Sequence, residues 1–268
     1  MPELPEVETV LRTLETKIKD KRIEDIIVNY SKIIDMDIDT FKNTLIGQSF
    51  RDFKRRGKYL LFEMDDITLV SHLRMEGKYY ILDKDVPIDK HTHIIFNLSD
   101  GKQLRYHDVR KFGRMELIPK DDIYHDFKGL GPEPFWDEFN EDYCLDYLKD
   151  KKLPIKQLLL RQEFIAGIGN IYADEILFKA GINPLRKGNT ISKKECLKIV
   201  KYTREILSEA IKMGGTTIRS YTSSLGVTGL FQQNLNVHTL DKCKVCGSEI
   251  IKIYVNTRGT YYCPKCQK

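Results

Sequence analysis

Four cysteines near the end of the sequence stand in two closely spaced pairs, with the pattern C-x2-C-x16-C-x2-C formed by Cys243, Cys246, Cys263 and Cys266. Two such pairs of thiolates surround Zn2+ tetrahedrally and leave no coordination position open for water. The spacing therefore predicts one structural zinc ion rather than a catalytic metal.

The segment between the cysteine pairs, IIKIYVNTRGTYY, alternates apolar and polar residues on both sides of residues 256–259. This pattern predicts a β-hairpin with Arg258 at its tip. A loop arginine is often only a solvated surface group, whereas a guanidinium on a hairpin braced by zinc is well suited to binding phosphate.

The first ten residues, MPELPEVETV, carry a second set of reactive groups. We expect Met1 to be removed, which would leave the secondary amine of Pro2 at the N-terminus beside Glu3. An α-amino group titrates near pH 8, about two pH units below lysine, so more of it is an unprotonated nucleophile at neutral pH. Glu6 and Glu8 suit the first turn of a helix, but Glu3 precedes the helix and is available for chemistry.

Basic residues are concentrated in three parts of the chain, although the formal net charge is only +5 (44 basic minus 39 acidic residues). The clusters are residues 51–58, 102–114 and 241–268, with aromatic residues in or beside them. Any one cluster could be a solvated surface. Three together favour a polyanionic partner such as nucleic acid.

Two short segments, SHLRM and DVRKFG, place basic and apolar side chains close together. Taken singly, Met75 and Phe112 fit a hydrophobic core, and His72 and His91 fit structural histidines. An arginine two residues from an aromatic ring, as Arg110 is from Phe112, can also read a base beside an inserted wedge.

The segment FIAGIGN ends at Asn170, where a helix is expected to begin. Glycines let backbone amides approach a ligand closely, and a helix start attracts anions, so a phosphate would fit there. A turn between two helices also often contains two glycines, so this signal is weak on its own.

The elements that position these residues change in character along the chain. Apolar residues near the start recur at helical spacing, and Glu8 is expected on the outer face of that helix. Residues 22–118 contain short runs rich in Ile, Val, Phe and Tyr, which predict about eight antiparallel strands. Residues 129–140 resemble a domain boundary. Helical patterns follow it, including a capping box at Ser192 and a buried face that includes Leu197.

Some classes of protein are disfavoured by composition. No stretch approaches 18 consecutive apolar residues, and the N-terminus lacks the basic and apolar regions of a secretory signal. Four of the six cysteines have metal-binding spacing rather than that of a disulfide framework, which suits a reducing compartment. We therefore expect a cytoplasmic protein without a membrane span.

Eight motifs in this order, covering nearly the whole chain, match one family: MPELPEVETV, RRGKYL, SHLRMEGKY, DVRKFG, LGPEP, GIGNIYADE, GGTT and CPKCQK. The sequence resembles bacterial formamidopyrimidine-DNA glycosylases. The resemblance implies an α+β fold, with an N-terminal antiparallel β-sandwich that carries an N-terminal helix. A C-terminal helical domain with a helix–two-turns–helix element and a zinc-ribbon β-hairpin finger is expected to follow. The expected divisions are a catalytic sandwich at 1–132, a linker at 133–150, the helix–two-turns–helix domain at 151–235 and the zinc finger at 236–268.

The resemblance also implies an activity, namely that of a bifunctional DNA glycosylase and abasic-site lyase in base excision repair. Such an enzyme binds double-stranded DNA that contains oxidised purines or abasic sites. It excises 8-oxoguanine and formamidopyrimidines through a Schiff base on the N-terminal proline, and then cuts the strand by β,δ-elimination. We expect a monomeric, cytoplasmic bacterial enzyme that associates with the nucleoid through DNA and not with membranes.

Roles are carried over from the family position by position. Pro2 resembles the nucleophile, Glu3 the acid that helps to open the sugar, and Glu6 a supporting carboxylate. Lys58 and Arg258 resemble phosphate-binding residues that also take part in the elimination steps. The other expected DNA contacts are His72, Met75, His91, Arg110, Phe112, Lys152 and Asn170.

Within that set, Met75, Arg110 and Phe112 resemble the residues that fill the gap left by an everted nucleotide, with Arg110 facing the orphaned cytosine. Glu76 and Thr217 are candidates for the damaged-base pocket, near the loop SYTSSLGVTG. The chain departs from the family at VHTLDKC, where a glycine-basic turn usually precedes the first cysteine. The approach to the zinc finger is therefore expected to differ.

Two alternatives remain open at the level of sequence. An endonuclease VIII-type glycosylase shares the terminal amine, the helical element and the finger, but prefers oxidised pyrimidines. Leu4 and the three gap-filling residues favour the purine-specific enzymes. A non-catalytic zinc-ribbon protein that binds damaged DNA would keep the basic clusters and cysteines, but it would have no need of Pro2 or Glu3.

Overall fold

A computed structural model describes residues 1–120, 127, 129–216 and 229–268. The chain divides into two compact units. The first takes in Met1–Lys128 and Thr216–Gly229, and the second takes in Gly129–Gly215 and Leu230–Lys268. Among the described residues, no helix has both the length and the apolar character needed to cross a membrane.

Helix α1, Leu4–Ile18, opens the first unit. Pro5 lies in its first turn, where the N–H that proline lacks would have no helical partner. The apolar stripe expected from the sequence is buried and consists of Val7, Val10, Leu11, Leu14 and Ile18. Glu8 does not point to solvent as predicted, because its side chain is only 13% exposed and is paired with Arg55.

In the described part of the first unit, eight strands follow in two four-stranded antiparallel sheets, which confirms the predicted β-sandwich. The sheets have the orders β1-β6-β7-β5 and β2-β3-β4-β8. The strands are Ile23–Val28 (β1), Asp52–Arg56 (β2), Tyr59–Glu63 (β3), Ile67–His72 (β4), Lys78–Asp83 (β5), Thr92–Leu98 (β6), Lys102–His107 (β7) and Arg114–Pro119 (β8). A short helix, α2 (Ile38–Leu45), lies between β1 and β2 in sequence.

One hydrophobic core joins both sheets and both helices of this unit. Its buried members include Phe41 from α2, Phe62 from β3 and Phe96 from β6. Each side chain of this size contributes about 1.5–3 kcal/mol when it is fully buried. Helix α1 packs on β2 and β3, so the start of α1 is fixed against the sheet that carries the RRGK turn.

The ring of Tyr106 is the point where two loops of the first unit meet. A Cβ atom on Gly77 would lie 2.3 Å from the Tyr106 hydroxyl, and one on Gly113 would lie 1.7 Å from it. Tyr106 is fully buried, and its hydroxyl donates to Asp108 at 3.5 Å. Only a residue without a side chain allows so close an approach. The glycines of SHLRMEG and DVRKFG therefore hold both loops against one ring.

The described part of the second unit contains four α-helices: α3 (Glu141–Leu148), α4 (Ile155–Leu159), α5 (Asn170–Ala180) and α6 (Lys193–Lys212). The predicted stop of α5 is confirmed, because Gly181 takes a φ of +73°. The capping box is also confirmed, since Ser192 N–H donates to Glu195 at 2.8 Å and the Ser192 hydroxyl accepts the N–H of Glu195 at 3.3 Å. Leu197 is 51% exposed, because the buried face of α6 runs through Cys196 and Ile199 instead; its predicted burial is wrong.

The segment between the cysteine pairs forms the predicted hairpin from β9 (Ile251–Val255) and β10 (Arg258–Tyr262). Asn256 and Thr257 make its turn, with φ values of +44° and +65°. Two positive φ values are typical of the tightest hairpin turns. Arg258 is thus the first residue of β10, paired across the hairpin with Val255.

Gly113→Ala is expected to lower the free energy of unfolding by about 1–3 kcal/mol, because the added methyl group overlaps the Tyr106 hydroxyl. Urea unfolding of the two proteins measures this difference. In a Tyr106→Phe background the penalty should be smaller, since the hydroxyl is gone, although a ring carbon at 2.7 Å still limits the space. Equal penalties in both backgrounds would contradict the proposed overlap.

Candidate active site

The Glu6 carboxylate holds the start of α1 in place. Its Oε2 accepts the N–H of Glu3 at 2.9 Å, and its Oε1 accepts both the N–H and the hydroxyl of Thr216, at 2.8 and 3.0 Å. Glu6 is 5% exposed and Glu3 is 3% exposed, and Pro2 is also buried. A buried carboxylate that accepts three hydrogen bonds is fixed in position, so Glu6 is suited to orienting its neighbours.

The terminal amino group lies in the same charged surroundings. Burial lowers the pKa of the Met1 amino group below its ordinary value of 8.0, against the raising effect of the Glu3 and Glu6 carboxylates. The ammonium of Lys58 lowers this pKa further, and the Glu76 carboxylate raises it. Burial thus disfavours the cationic form of an amine at this end of the chain, and the unprotonated form is the nucleophile.

Lys58 stands in the two-residue turn between β2 and β3, and is 6% exposed. The preceding Gly57 takes a φ of +55°, which glycine adopts without strain. Arg55 donates from Nη1 to the Gly57 carbonyl at 3.0 Å. The sequence-level placement of Lys58, where a basic loop enters a strand, therefore agrees with the structure.

His72, the last residue of β4, is 8% exposed and packs edge-on against Tyr59, with the ring centroids 4.6 Å apart. Its Nδ1 accepts the N–H of Arg74 at 2.9 Å, so a neutral ring carries its proton on Nε2. Burial, together with the charges of Arg74 and Lys58, lowers the pKa of His72 to about 3. His72 thus offers an uncharged N–H donor close to a lysine.

Asp108 organises the loop that carries Arg110 and Phe112. Its fully buried carboxylate accepts the N–H groups of Arg110, Phe112 and Gly113 at 2.9–3.0 Å. Lys111 takes a φ of +58°, so the chain turns sharply between Arg110 and Phe112. On the outside, the Arg110 guanidinium lies 4.8 Å from the centroid of the Phe112 ring, which is 47% exposed. The loop presents an apolar edge and a cation side by side.

Three further predicted residues belong to the first unit. Met75 and Glu76 are half-buried in the loop that follows β4, and Glu76 acts on the pKa of the terminal amine. His91 packs against His107 with the ring centroids 5.6 Å apart, and its carbonyl accepts the N–H of Asp108 at 3.0 Å. Thr217 and residues 220–228 lie outside the described residues.

In the second unit, the carbonyl of Gly259 ties the hairpin to two helices. It accepts the Asn170 side-chain amide at 2.9 Å and the Lys156 ammonium at 3.3 Å. Asn170 begins α5, and Gly259 directly follows Arg258, so this bond holds Asn170 next to the strand that carries Arg258. Arg258 is exposed, and so is Lys152, which precedes α4.

A buried ion pair lies beneath this contact. Lys156 Nζ is 2.6 Å from Asp174 Oδ1, with both side chains fully buried, and His238 Nδ1 is 2.7 Å from Asp174 Oδ2. The neighbouring Glu175 accepts the N–H groups of residues 236–238 at 2.8–3.0 Å. Helix α5 therefore fixes the segment that leads to the first cysteine.

The four predicted cysteines are brought together at the base of the hairpin, with their sulfur atoms all within 4.8 Å of one another. The Sγ–Sγ distance is 3.8 Å for Cys243 and Cys266, and 3.4 Å for Cys246 and Cys263. Zinc–sulfur bonds of 2.3 Å in a tetrahedron place sulfur atoms about 3.8 Å apart. Four thiolates in this arrangement fit one structural zinc ion with a closed coordination shell.

Sequence reasoning missed several residues that support these groups. Asp108 stands before a tight loop, a position where a carboxylate often accepts backbone N–H groups, and that signal could have identified it. Thr216 belongs to the motif GGTT, but no local pattern indicates its bond to Glu6. Lys156 and Asp174 lie in helices, where a buried ion pair leaves no recognisable spacing.

Taken together, the groups at the start of α1 and the zinc-braced hairpin with its exposed arginine define a DNA-processing enzyme of the glycosylase class. Residues 1–115 match the formamidopyrimidine-DNA glycosylase N-terminal domain, residues 130–222 match the H2TH domain of the same enzymes, and residues 241–268 match the zinc finger found in FPG and IleRS.

A formamidopyrimidine-DNA glycosylase from Bacillus licheniformis is 47% identical, over 100% of both chains. Two crystal structures of the Lactococcus lactis Fpg protein are also similar. One, in complex with a DNA containing N7-benzyl-Fapy-dG, has a TM-score of 0.93 at 44% identity over 100% of both chains. Another, in complex with an abasic-site DNA, has a TM-score of 0.93 at 43% identity over 99% of both chains. The chain belongs to the formamidopyrimidine-DNA glycosylase family.

The low pKa of His72 predicts a pH-dependent stability. Between pH 7 and pH 5 the unfolded chain gains a proton on His72, with its ordinary pKa of 6.5, whereas the folded chain with a pKa of about 3 does not. The unfolded state then binds more protons, so the free energy of unfolding falls as the pH falls, by about 2 kcal/mol for this group. Urea unfolding at both pH values should show a smaller change for His72→Gln. An unchanged pH dependence would contradict the assignment.

Proposed function

We propose that this chain excises oxidised purines, such as 8-oxoguanine and formamidopyrimidines, from duplex DNA and then cuts the strand at the resulting abasic site. The observation that carries the proposal is the position of Pro2, which is buried at the start of α1 next to Glu3 and close to the Glu6 carboxylate that accepts the N–H of Glu3 at 2.9 Å. Membership of the formamidopyrimidine-DNA glycosylase family supports the same activity. The G226P mutant of the Lactococcus lactis relative has been crystallised with Fapy-dG DNA, and the relative itself with abasic-site DNA.

In the proposed reaction the secondary amine of Pro2, uncovered by loss of Met1, attacks C1′ of the damaged nucleotide. A nitrogen–carbon bond forms, the bond to the base breaks, and the proton lost by the amine neutralises the departing base. A proton from Glu3 to the ring oxygen opens the sugar, and the nitrogen lone pair completes an iminium. The iminium acts as an electron sink. Loss of a C2′ proton expels the 3′ phosphate by β-elimination, and loss of a C4′ proton then expels the 5′ phosphate by δ-elimination.

The phosphate-binding roles are proposed from the donors that each unit presents. In the first unit, Lys58 supplies a charge and His72 supplies a neutral N–H beside it. In the second unit, Asn170 and Arg258 are joined through Gly259, and Lys152 adds an exposed cation. Contacts to phosphates position the DNA without reading its sequence.

We propose that Arg110 and Phe112, together with Met75, occupy the gap left when the damaged nucleotide leaves the stack. Extrusion costs a few kcal/mol, which contacts of this kind offset. The stacking of Arg110 on Phe112 supports the proposal, because one rigid loop then offers both an apolar wedge and hydrogen-bond donors to the orphaned cytosine. We propose His91 as a further DNA contact. Its carbonyl accepts the N–H of Asp108 at the start of this loop.

The damaged-base pocket is proposed to include Glu76 and Thr217. We also propose a functional division into a catalytic domain (1–132), a linker (133–150), a helix–two-turns–helix domain (151–235) and a zinc finger (236–268). A monomer in the bacterial cytoplasm, associated with the nucleoid through its DNA, is the proposed working form.

Borohydride trapping tests the nucleophile. Incubation with abasic-site DNA and borohydride is expected to give a covalent complex, because reduction of the iminium makes the bond permanent. Pro2→Gly should reduce trapping severely, whereas Lys17→Ala, an exposed residue in the last turn of α1 outside the basic clusters, should trap at the normal rate. Mass spectrometry of the mature N-terminus should show that Met1 is absent. Undiminished trapping by Pro2→Gly, or full activity with Met1 retained, would exclude the proposed nucleophile.

An enzyme that cuts thymine glycol duplexes much faster than 8-oxoguanine duplexes would instead be the pyrimidine-specific type.

Arg110→Ala and Arg258→Ala are expected to fail in different ways. Loss of Arg110 removes a base contact, so discrimination between cytosine and other opposite bases should weaken by about 1–3 kcal/mol. Loss of Arg258 removes a phosphate contact, so binding should weaken for every opposite base. The slope of the logarithm of the binding constant against the logarithm of the salt concentration should decrease by about one. Dissociation constants for four duplexes at two salt concentrations measure both effects. Identical profiles for the two variants would refute the division of roles.

A further inference from the structure

Glu8 joins two arginines of the first unit. Its Oε2 accepts Nε of Arg55 at 2.9 Å, and its Oε1 accepts Nε of Arg12 at 2.8 Å. The Arg12 side chain is 64% exposed, whereas that of Arg55 is 9% exposed. The bond to Arg55 is therefore the shielded one, and a charge-assisted hydrogen bond shielded from water is stronger than one on the surface.

Arg55 uses a second nitrogen for the backbone of the neighbouring turn. Its Nη1 donates to the carbonyl oxygen of Gly57 at 3.0 Å. One planar guanidinium thus connects Glu8 of helix α1 with the peptide bond that joins Gly57 to Lys58. Lysine cannot replace arginine in this role, because a single ammonium lacks the fixed fork of donors.

The peptide bond between Gly57 and Lys58 determines the direction in which Lys58 leaves the turn. Gly57 has a φ of +55°, and Lys58 is not among the residues with positive φ. This combination is typical of a type II′ hairpin turn, in which the first central residue alone has positive φ. A flip of the central peptide would convert it into a type I′ turn and require positive φ at Lys58. A hydrogen bond to the Gly57 carbonyl holds that peptide in its present orientation.

We propose that Arg55 is a positioning residue for Lys58, which it fixes relative to the start of α1 by binding Glu8 and the Gly57 carbonyl together. The inference rests on the proposed function of Lys58 in binding phosphate and in elimination. Arg55 acts on Lys58 only indirectly, through the conformation of the Gly57–Lys58 turn. Misplacement of a catalytic group by about 1 Å can slow a reaction 100-fold, so loss of the fork is expected to slow strand cutting.

The chain provides a matched control at Arg51, which lies in the same basic cluster as Arg55 but is assigned no contact with DNA. Its Nε and Nη1 bind Asp65 and Asp20 at 2.6 and 2.9 Å, so it is also a forked arginine between two partners. It precedes β2, whereas Arg55 lies near the end of β2, and both of its partners are carboxylates. Arg51→Lys therefore controls for loss of an arginine fork in the same region.

The test combines Arg55→Lys with Lys58→Ala in the full-length, zinc-loaded enzyme. Single-turnover rates of strand cutting are measured on abasic-site DNA for both single variants, the double variant and Arg51→Lys. Arg55→Lys is expected to be about tenfold slower than the parent, and Arg51→Lys within about twofold of it. In the Lys58→Ala background, Arg55→Lys should cause no further loss, because a positioning residue has nothing left to position.

Three results would overturn the inference in distinguishable ways. Full activity of Lys58→Ala would reject the proposed role of Lys58, and the inference with it. A slow Lys58→Ala beside a fully active Arg55→Lys would reject only the inference. A tenfold loss from Arg55→Lys that persists in the Lys58→Ala background would indicate a purely structural role. Glu8→Gln, which keeps the shape of its side chain, should reproduce the Arg55→Lys pattern if Arg55→Lys does not fold.

Discussion

The burial of charged groups around the start of α1 is the constraint on which the rest of the first unit depends. A terminal amine reacts only when it is unprotonated, and burial favours that form. The same burial disfavours the charged forms of the carboxylates and of the lysine ammonium that the proposed chemistry needs beside the amine. Charges removed from water must be compensated by hydrogen bonds or by one another. Glu6 meets this requirement by accepting three hydrogen bonds from Glu3 and Thr216.

A similar solution appears in the second unit, where Lys156 and Asp174 are fully buried and paired at 2.6 Å. A buried pair of this kind contributes little net stability compared with well-packed apolar residues, but removal of one partner is strongly destabilising. The specific contribution of this ion pair is to hold the Lys156 ammonium in one orientation. The Lys156 ammonium also donates to the Gly259 carbonyl at 3.3 Å, which links the hairpin to the helices. An exposed Arg258 at the start of β10 is then presented by a strand whose backbone is fixed on one side and closed by zinc at its base.

The sequence alone was sufficient to predict the features that repeat with a regular period and those with a distinctive chemistry. The apolar stripe of α1, the eight strands, the capping box at Ser192 and the four cysteines each follow from a local pattern with a physical cause. Glu8 and Leu197 were predicted wrongly for the same reason, since helical periodicity locates a face only to within about one residue at its edge. Glu8 lies at such an edge, where Arg55 of another element covers it. Partners that are distant in sequence leave no periodic signal.

The motif GGTT shows how such a distant partner is supplied. Gly214 and Gly215 take φ values of +76° and +77°, which end α6 and redirect the chain. Thr216 follows at once and gives both of its donors to Glu6, a residue 210 positions earlier. On the approach to the zinc finger, Thr239 takes a φ of +61°, a left-handed conformation that is unfavourable for threonine. The N–H groups of Val237 and His238, just before Thr239, donate to the Glu175 carboxylate at 3.0 Å and so hold the chain in place beside that strained residue.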